Sequence, residues 1–258
     1  MTEATVTPED FDEVVQIGRD LLGEWNAVTN VEARAKGFNP AKVATCYGFA
    51  AHAHHLSPLA LDLIEAGRVL EALPLVRLIY ECSLQAHWVA QVPDAIAALD
   101  SKEYSSRRAL VAELGQSMNL VLRQASEEIK SAMSTWTVDE TTASARFRGV
   151  CEDLQPGGID AYLHYRMLSS LSHATPMIAD QYISAIDGPP GFQIRASPHE
   201  SPGVAYAYTV AVSLVWAGRA MDFQDKRHPR RSELRAAARR LGVPDVLHPS
   251  ETAMKRQR

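Results

Sequence analysis

The stretch "SPGVAYAYTVAVSLVWAG", Ser201 to Gly218, runs for eighteen residues without a charge. As a helix it has no polar side to offer water, so it either crosses a membrane or lies inside a bundle with other helices around it. It contains Pro, Gly, Ser and Thr and falls short of the roughly 20 apolar residues a crossing takes. That leaves a buried core helix and no membrane partner. A second segment, "RVLEALPLVRLIYECSLQAHWVAQ" from Arg68 to Gln91, surrounds Arg77 and Glu81 with Leu, Val, Ile, Tyr and Trp, so little of it can face water either.

The rest of the chain supplies a helical shell. "TPEDFDEVVQIGRDLLGEW" has Thr7 as N-cap, Pro8 at the first helical position and Glu9 and Asp10 in the first turn. "FNPAKVATCYGFAAHAHHL" repeats the signal with Asn39-Pro40. "SPLALDLIEAG" repeats it with Ser57-Pro58 and stops at Gly67. Pro74 either lies in the first turn of its helix or kinks it. Further helical segments are predicted over Ser101–Arg123, Ser126–Trp136, Asp139–Leu154, Ile159–Ala174, Val204–Phe223 and Ser232–Leu241. No stretch shows sustained strand alternation. "QPGG", Gln155 to Gly158, marks one boundary, and "DGPPGFQIRASPHESPG", Asp187 to Gly203, reads as a long loop serving as lid, arm or partner-binding segment. The chain is predicted to be all-α, a single-domain helical bundle over residues 1–225 with a basic C-terminal helix and tail over 226–258.

Charge divides along the same line. Residues 226–258 hold ten Lys/Arg against three Asp/Glu, while the preceding 225 carry a net −12. The tail therefore meets either an anionic partner or its own acidic body. On "RRSELRAAARRLG", Leu234, Ala237, Ala238 and Leu241 make an apolar stripe, and Arg231, Arg235 and Arg239 recur every four residues elsewhere. That second face is an RNA contact or a solvated basic surface. The first twenty residues lack an apolar signal region, and Cys46, Cys82 and Cys151 lie far apart without a C-x-x-C pair. The expectation is a cytoplasmic protein with free thiols.

Polar residues interrupt the apolar helices in three places. In "HAHH", His52 and His55 stand one turn apart, but with no H-E-x-x-H and no second cluster at ligand spacing the expectation is no metal, no cofactor and a polar stripe lining a pocket or interface. Arg77 and Glu81 stand at i, i+4, flanked by Tyr80 and His87. A buried arginine must find a carboxylate, so this is a structural ion pair or part of a site. The third place is "YLHYRMLSSLSHATP". Over a helix, Arg166 and His173 would be nearly two turns apart on one face, with Ser169 and Ser170 between them. Pro176 disfavours helical geometry at Thr175, which predicts a helix ending just past His173, where its C-terminus favours the imidazolium. The pair is either an ordinary exposed polar face or a metal-independent ribonuclease site, in which the histidine serves as general acid–base toward a ribose 2′-hydroxyl and the arginine as phosphate ligand.

"RMLSSLSH" resembles the R-x4–6-H signature of HEPN proteins, with Met167 where those ribonucleases usually carry a polar residue. The resemblance implies an all-helical, often dimeric fold and an RNA-cleaving toxin or antiviral defence effector with Arg166 and His173 catalytic. It further implies RNA, a second copy of the chain, and an antitoxin or other protein as partners. More broadly, "LIEAGRVLEALPLVRLIYECSLQAHWV" followed later by "YRMLSSLSHATP" resembles a bacterial all-helical family of unknown function. That likeness implies that Arg77, Glu81, Tyr165, Ser169 and His173 share one site and names no reaction. A non-catalytic protein that binds a small molecule or a partner in a cleft lined by Arg77, Glu81, Tyr165 and His173 stands as the alternative.

Overall fold

The computed structural model describes residues 11–27, 32, 39–138, 145–185, 191–199 and 201–256. In order these form α1 (Phe11–Ala27), α2 (Pro40–Glu65), α3 (Val69–Gln91), α4 (Ala95–Gly115), α5 (Leu120–Met133), α6 (Phe147–Glu152), β1 (Leu154–Gln155), α7 (Gly158–Ser170), α8 (Pro176–Asp180), β2 (Ile183–Ala185), β3 (Phe192–Ile194), α9 (Val204–Asp222), α10 (Arg231–Arg240), β4 (His248–Pro249) and α11 (Glu251–Lys255). The fold is all-α; β1 pairs antiparallel with β4, and β2 with β3. Thr7, Pro8, Glu9 and Asp10, the N-terminal start signal, lie outside the described residues, as does the beginning of the predicted Asp139–Leu154 helix.

The uncharged stretch sits at the centre. Among the described residues α9 alone has the length and composition to cross a membrane, but 83% of that window is buried inside the structure. It packs with α1, α2 and α3. Val210, Leu214 and Val215 of α9 and Val76, Ile79 and Leu84 of α3 are fully enclosed in one apolar cluster. Burying each such side chain stabilises the fold by about 1.5–3 kcal/mol.

Two local signals act as the sequence suggests. Asn39 Oδ1 accepts from the Lys42 N–H at 3.1 Å, capping α2. Gly67 takes φ +72° past the end of α2; there the Arg68 N–H donates to Leu63 O and the Gly67 N–H to Ile64 O, closing the last turn and sending α3 back along α2. Ser57-Pro58 behaves otherwise. Instead of a new start, both lie inside the unbroken α2, and the Ser57 hydroxyl donates back to Ala53 O at 2.7 Å. The buried run Ala53, Ser57, Ala60, Leu61 faces its neighbours continuously, and that packing outweighs the one amide hydrogen the proline lacks. Pro74 is the sixth residue of α3, in the second turn.

Three other expectations need correction. The predicted helix Ser101–Arg123 is split: α4 ends at Gly115, and Asn119 caps α5 by accepting from the Val121 N–H at 2.9 Å. The long Pro/Gly-rich loop contains a strand, with Phe192–Ile194 paired to Ile183–Ala185. The helix expected to reach Ala174 ends at Ser170.

The basic C-terminal segment joins the same core. Leu234, Ala237, Ala238 and Leu241 are all buried, and α10 approaches α9 so closely that a Cβ on Gly218 would lie 2.8 Å from a Leu234 methyl. Leu247 and Ala253 are enclosed as well. Three of its basic side chains reach across to the acidic body: Arg240 pairs with Glu13, Arg227 with Glu32, and Arg256 with Asp94 and Asp153. The tail meets its own acidic body.

Candidate site at the junction of α3 and α7

Helix α7, "GIDAYLHYRMLSS", presents Ala161, His164, Tyr165 and Leu168 at helical spacing toward the core. Leu168 is buried. His164 Nε2 lies 3.2 Å from the Thr209 hydroxyl of α9, and burial holds its pKa below the usual histidine value. The Tyr80 hydroxyl donates to Ala161 O at 3.3 Å. These contacts seat α7 against α3 and α9.

Arg77 is the hinge of the junction. Its Nε donates to Ser169 Oγ at 3.1 Å, and its Nη2 donates to the Tyr165 hydroxyl at 2.9 Å and to Glu81 Oε2 at 3.2 Å. The guanidinium also lies 5.2 Å from the centre of the Tyr165 ring. Four residues that the broader resemblance groups together are therefore joined through one side chain. Both members of the ion pair keep 21% of their side chain open to solvent, so the pair is formed and mostly covered but not fully enclosed. We expect Glu81→Gln to cost about 1–2 kcal/mol, less than the ~3–5 of a fully enclosed pair, because water screens the orphaned arginine. A denaturant midpoint identical to that of the parent would show that the pair does not hold the junction.

Phe147 and Arg148 of α6 belong to the same neighbourhood. The Phe147 ring lies 4.3 Å from that of Tyr165, and the Arg148 guanidinium lies 5.8 Å from the centre of Tyr162. Sequence reasoning missed both: an aromatic residue in "RFRGVC" carries no spacing that ties it to a helix beginning eleven residues later.

Arg166 and His173 stand apart from this network. Both are exposed, and neither makes a side-chain hydrogen bond or ion pair among the described residues. They do not share one helical stripe, because α7 stops three residues before His173. The Ser172 hydroxyl donates to Leu168 O, the Thr175 hydroxyl donates to Ser170 O, and Thr175 is extended with ψ 162°, as a residue before proline prefers. His173 thus lies beyond the last turn of α7.

The remaining candidates lie elsewhere. His52 and His55 are exposed and line a groove of about 600 Å³ between α1 and α2, together with Trp25 and the buried His54. No group of three His, Cys, Asp or Glu among the described residues is arranged to hold a metal. On α10, Arg235 pairs with Asp245, whereas Arg231 and Arg239 are exposed without a partner among the described residues. The three cysteines are free and buried, and burial pushes each thiol up to about 12, so none is a poised nucleophile.

No curated protein and no solved structure matches this chain. A family of unknown function, DUF5677, matches residues 43–190. The matched span runs from α2 to the β2–β3 hairpin and contains Arg77, Glu81, Tyr165, Arg166, Ser169 and His173; α9, α10 and the basic tail lie outside it. Since the match takes in more than half of the chain, the protein belongs to the DUF5677 family.

Proposed function

We propose that the protein is an HEPN-like RNA-binding or RNA-cleaving protein of the stress-response or defence type, acting in the cytoplasm, with Arg166 as phosphate ligand and His173 as general acid–base. One observation carries the reading. Arg77 engages Glu81, Tyr165 and Ser169 in fixing α7, while Arg166 and His173 are exposed with no side-chain partner among the described residues. An exposed arginine free of carboxylates can take a phosphate bidentately, and an exposed histidine can exchange protons with substrate. The Arg77 cluster acts as a positioning group.

The test is purified protein with total RNA at low salt in the presence of chelator. Cleavage is expected from the parent. His173→Ala and Arg166→Ala are expected to lower it about 10²–10⁴-fold with an unchanged Tm, since neither side chain is packed. Undiminished turnover by His173→Ala overturns the mechanism. An inert parent favours the second reading, a non-catalytic protein with a small molecule or protein partner at the α3–α7 cleft. The Arg77–Glu81 pair, which keeps part of each side chain open to solvent, supports that reading.

A further inference from the structure

The β2–β3 hairpin stands away from the bundle. Among the described residues, every hydrogen bond made by Tyr182 to His199 ends within residues 177–199. Its register puts Ile183 opposite Ile194 and Ala185 opposite Phe192, with Ser184 and Gln193 paired between them. Side chains alternate along a strand, so Ile183, Ile194 and Phe192 share one face and the polar pair takes the other. That apolar face is uncovered: Ile183 is 40% exposed, Phe192 63% and Ile194 77%. A lone two-stranded hairpin is marginally stable at best, and one with a bare apolar face needs a surface to lie on.

The same chain carries a matching surface that its own arm does not cover. Along the outer side of α7, Ile159, Leu163 and Met167 recur every four residues and are 44%, 52% and 68% exposed. They form a ridge running the length of that helix.

We infer that two copies of this chain exchange arms, the apolar face of each β2–β3 hairpin lying on the α7 ridge of the other. The arrangement is two-fold and self-complementary: arm on ridge and ridge under arm occur once in each direction. The six side chains expose on the order of 700 Å² per chain, close to the ~800 Å² that each partner gives to a standard specific interface. The exchange rests on exposed apolar surface alone and none of the six residues is assigned a role in the RNA chemistry, although Arg166, three residues past Leu163 and next to Met167, borders the ridge.

Sedimentation of the full chain at micromolar concentration is expected to give the mass of two chains. Phe192→Ser/Ile194→Asp on the arm and Met167→Asp on the ridge are each expected to weaken association at least ~30-fold, with the helical circular dichroism of the parent retained because all three side chains are exposed. A chain bearing Ile194→Cys mixed with one bearing Met167→Cys is expected to form an interchain disulfide that neither forms alone; the native cysteines are buried and do not compete. Any other mass for the parent, or a dimer that yields to only one of the two surfaces, overturns the exchange.

Discussion

Asp222→Ala is expected to be among the most damaging single substitutions in the chain, lowering stability by about 3–5 kcal/mol. Asp222 ends α9 with its side chain fully buried. It accepts from Arg219 Nη1, which is itself only 3% exposed, and from the Arg230 N–H at 3.2 Å. Its backbone carbonyl accepts from His228 Nδ1 at 2.7 Å. Alanine strips the carboxylate from a guanidinium that has little access to water and leaves it Asp245, 3.0 Å from Arg219 Nε, as its remaining ion pair. A buried charge left with one of its two carboxylates is under-compensated, and that is what makes breaking such a pair costly. In a chain of this size the loss corresponds to a fall in Tm on the order of 10 °C. Asp222→Asn, which keeps an acceptor oxygen in place, is expected to lose less. Denaturant unfolding of both variants decides it: if Asp222→Ala unfolds within 1 kcal/mol of the parent, the C-terminal end of α9 is not held by this pair.

What the sequence discloses here is whatever is local or one-sided. α9 could be recognised because eighteen uncharged residues leave a helix no wet face. Asn39-Pro40 and Gly67 could be recognised because a cap and a left-handed residue are dictated within four positions. The buried face of α10 followed from Leu234, Ala237, Ala238 and Leu241, and the grouping of Arg77, Glu81, Tyr165 and Ser169 came from the broader resemblance. What escapes is settled by contacts far apart in the chain. Ser57-Pro58 carries the same start signal as Asn39-Pro40, and only the packing of α2 decides that it is not used. The β2–β3 strands are three residues each, too short to show an alternation. The sequence groups His87 with Arg77 and Glu81, yet its ring serves α9 and the backbone N–H of Leu247, 160 residues away. The Arg166–His173 spacing fits a helix, but the serine hydroxyls and Pro176 end α7 between them.

The position of His87, with that of His54, sets the second large effect: stability should fall steeply as the pH drops from about 6.5 toward 5. His87 is fully enclosed. The Leu247 N–H donates to Nε2 at 3.0 Å, which leaves the proton on Nδ1, 3.1 Å from Trp216 O. A neutral ring thus staples α3 to α9 and to the segment before β4. Burial lowers its pKa to about 4; the two backbone carbonyls act in the other direction, and the nearby Arg219 adds to the lowering. His54, stacked on Trp25 with ring centroids 3.9 Å apart, donates from Nδ1 to Ala50 O at 2.7 Å. Burial takes it down to about 3, against that hydrogen bond and with help from Arg230. Unfolded, both rings titrate near 6.5. Between that value and the folded pKa the unfolded chain binds protons that the folded chain refuses, so stability is complete above pH 6.5 and declines as the pH falls. At pH 5 each histidine contributes a loss of about 2 kcal/mol, or ~4 together. His164 shifts in the same direction and adds to it. Carboxylates protonate mainly below this window, which assigns the slope to imidazole. Denaturant midpoints at pH 7 and 5 measure the loss, and His54→Phe, which keeps a ring against Trp25, is expected to remove about half of it. A parent equally stable at both values would mean that these two rings take up protons in the folded state as readily as in water.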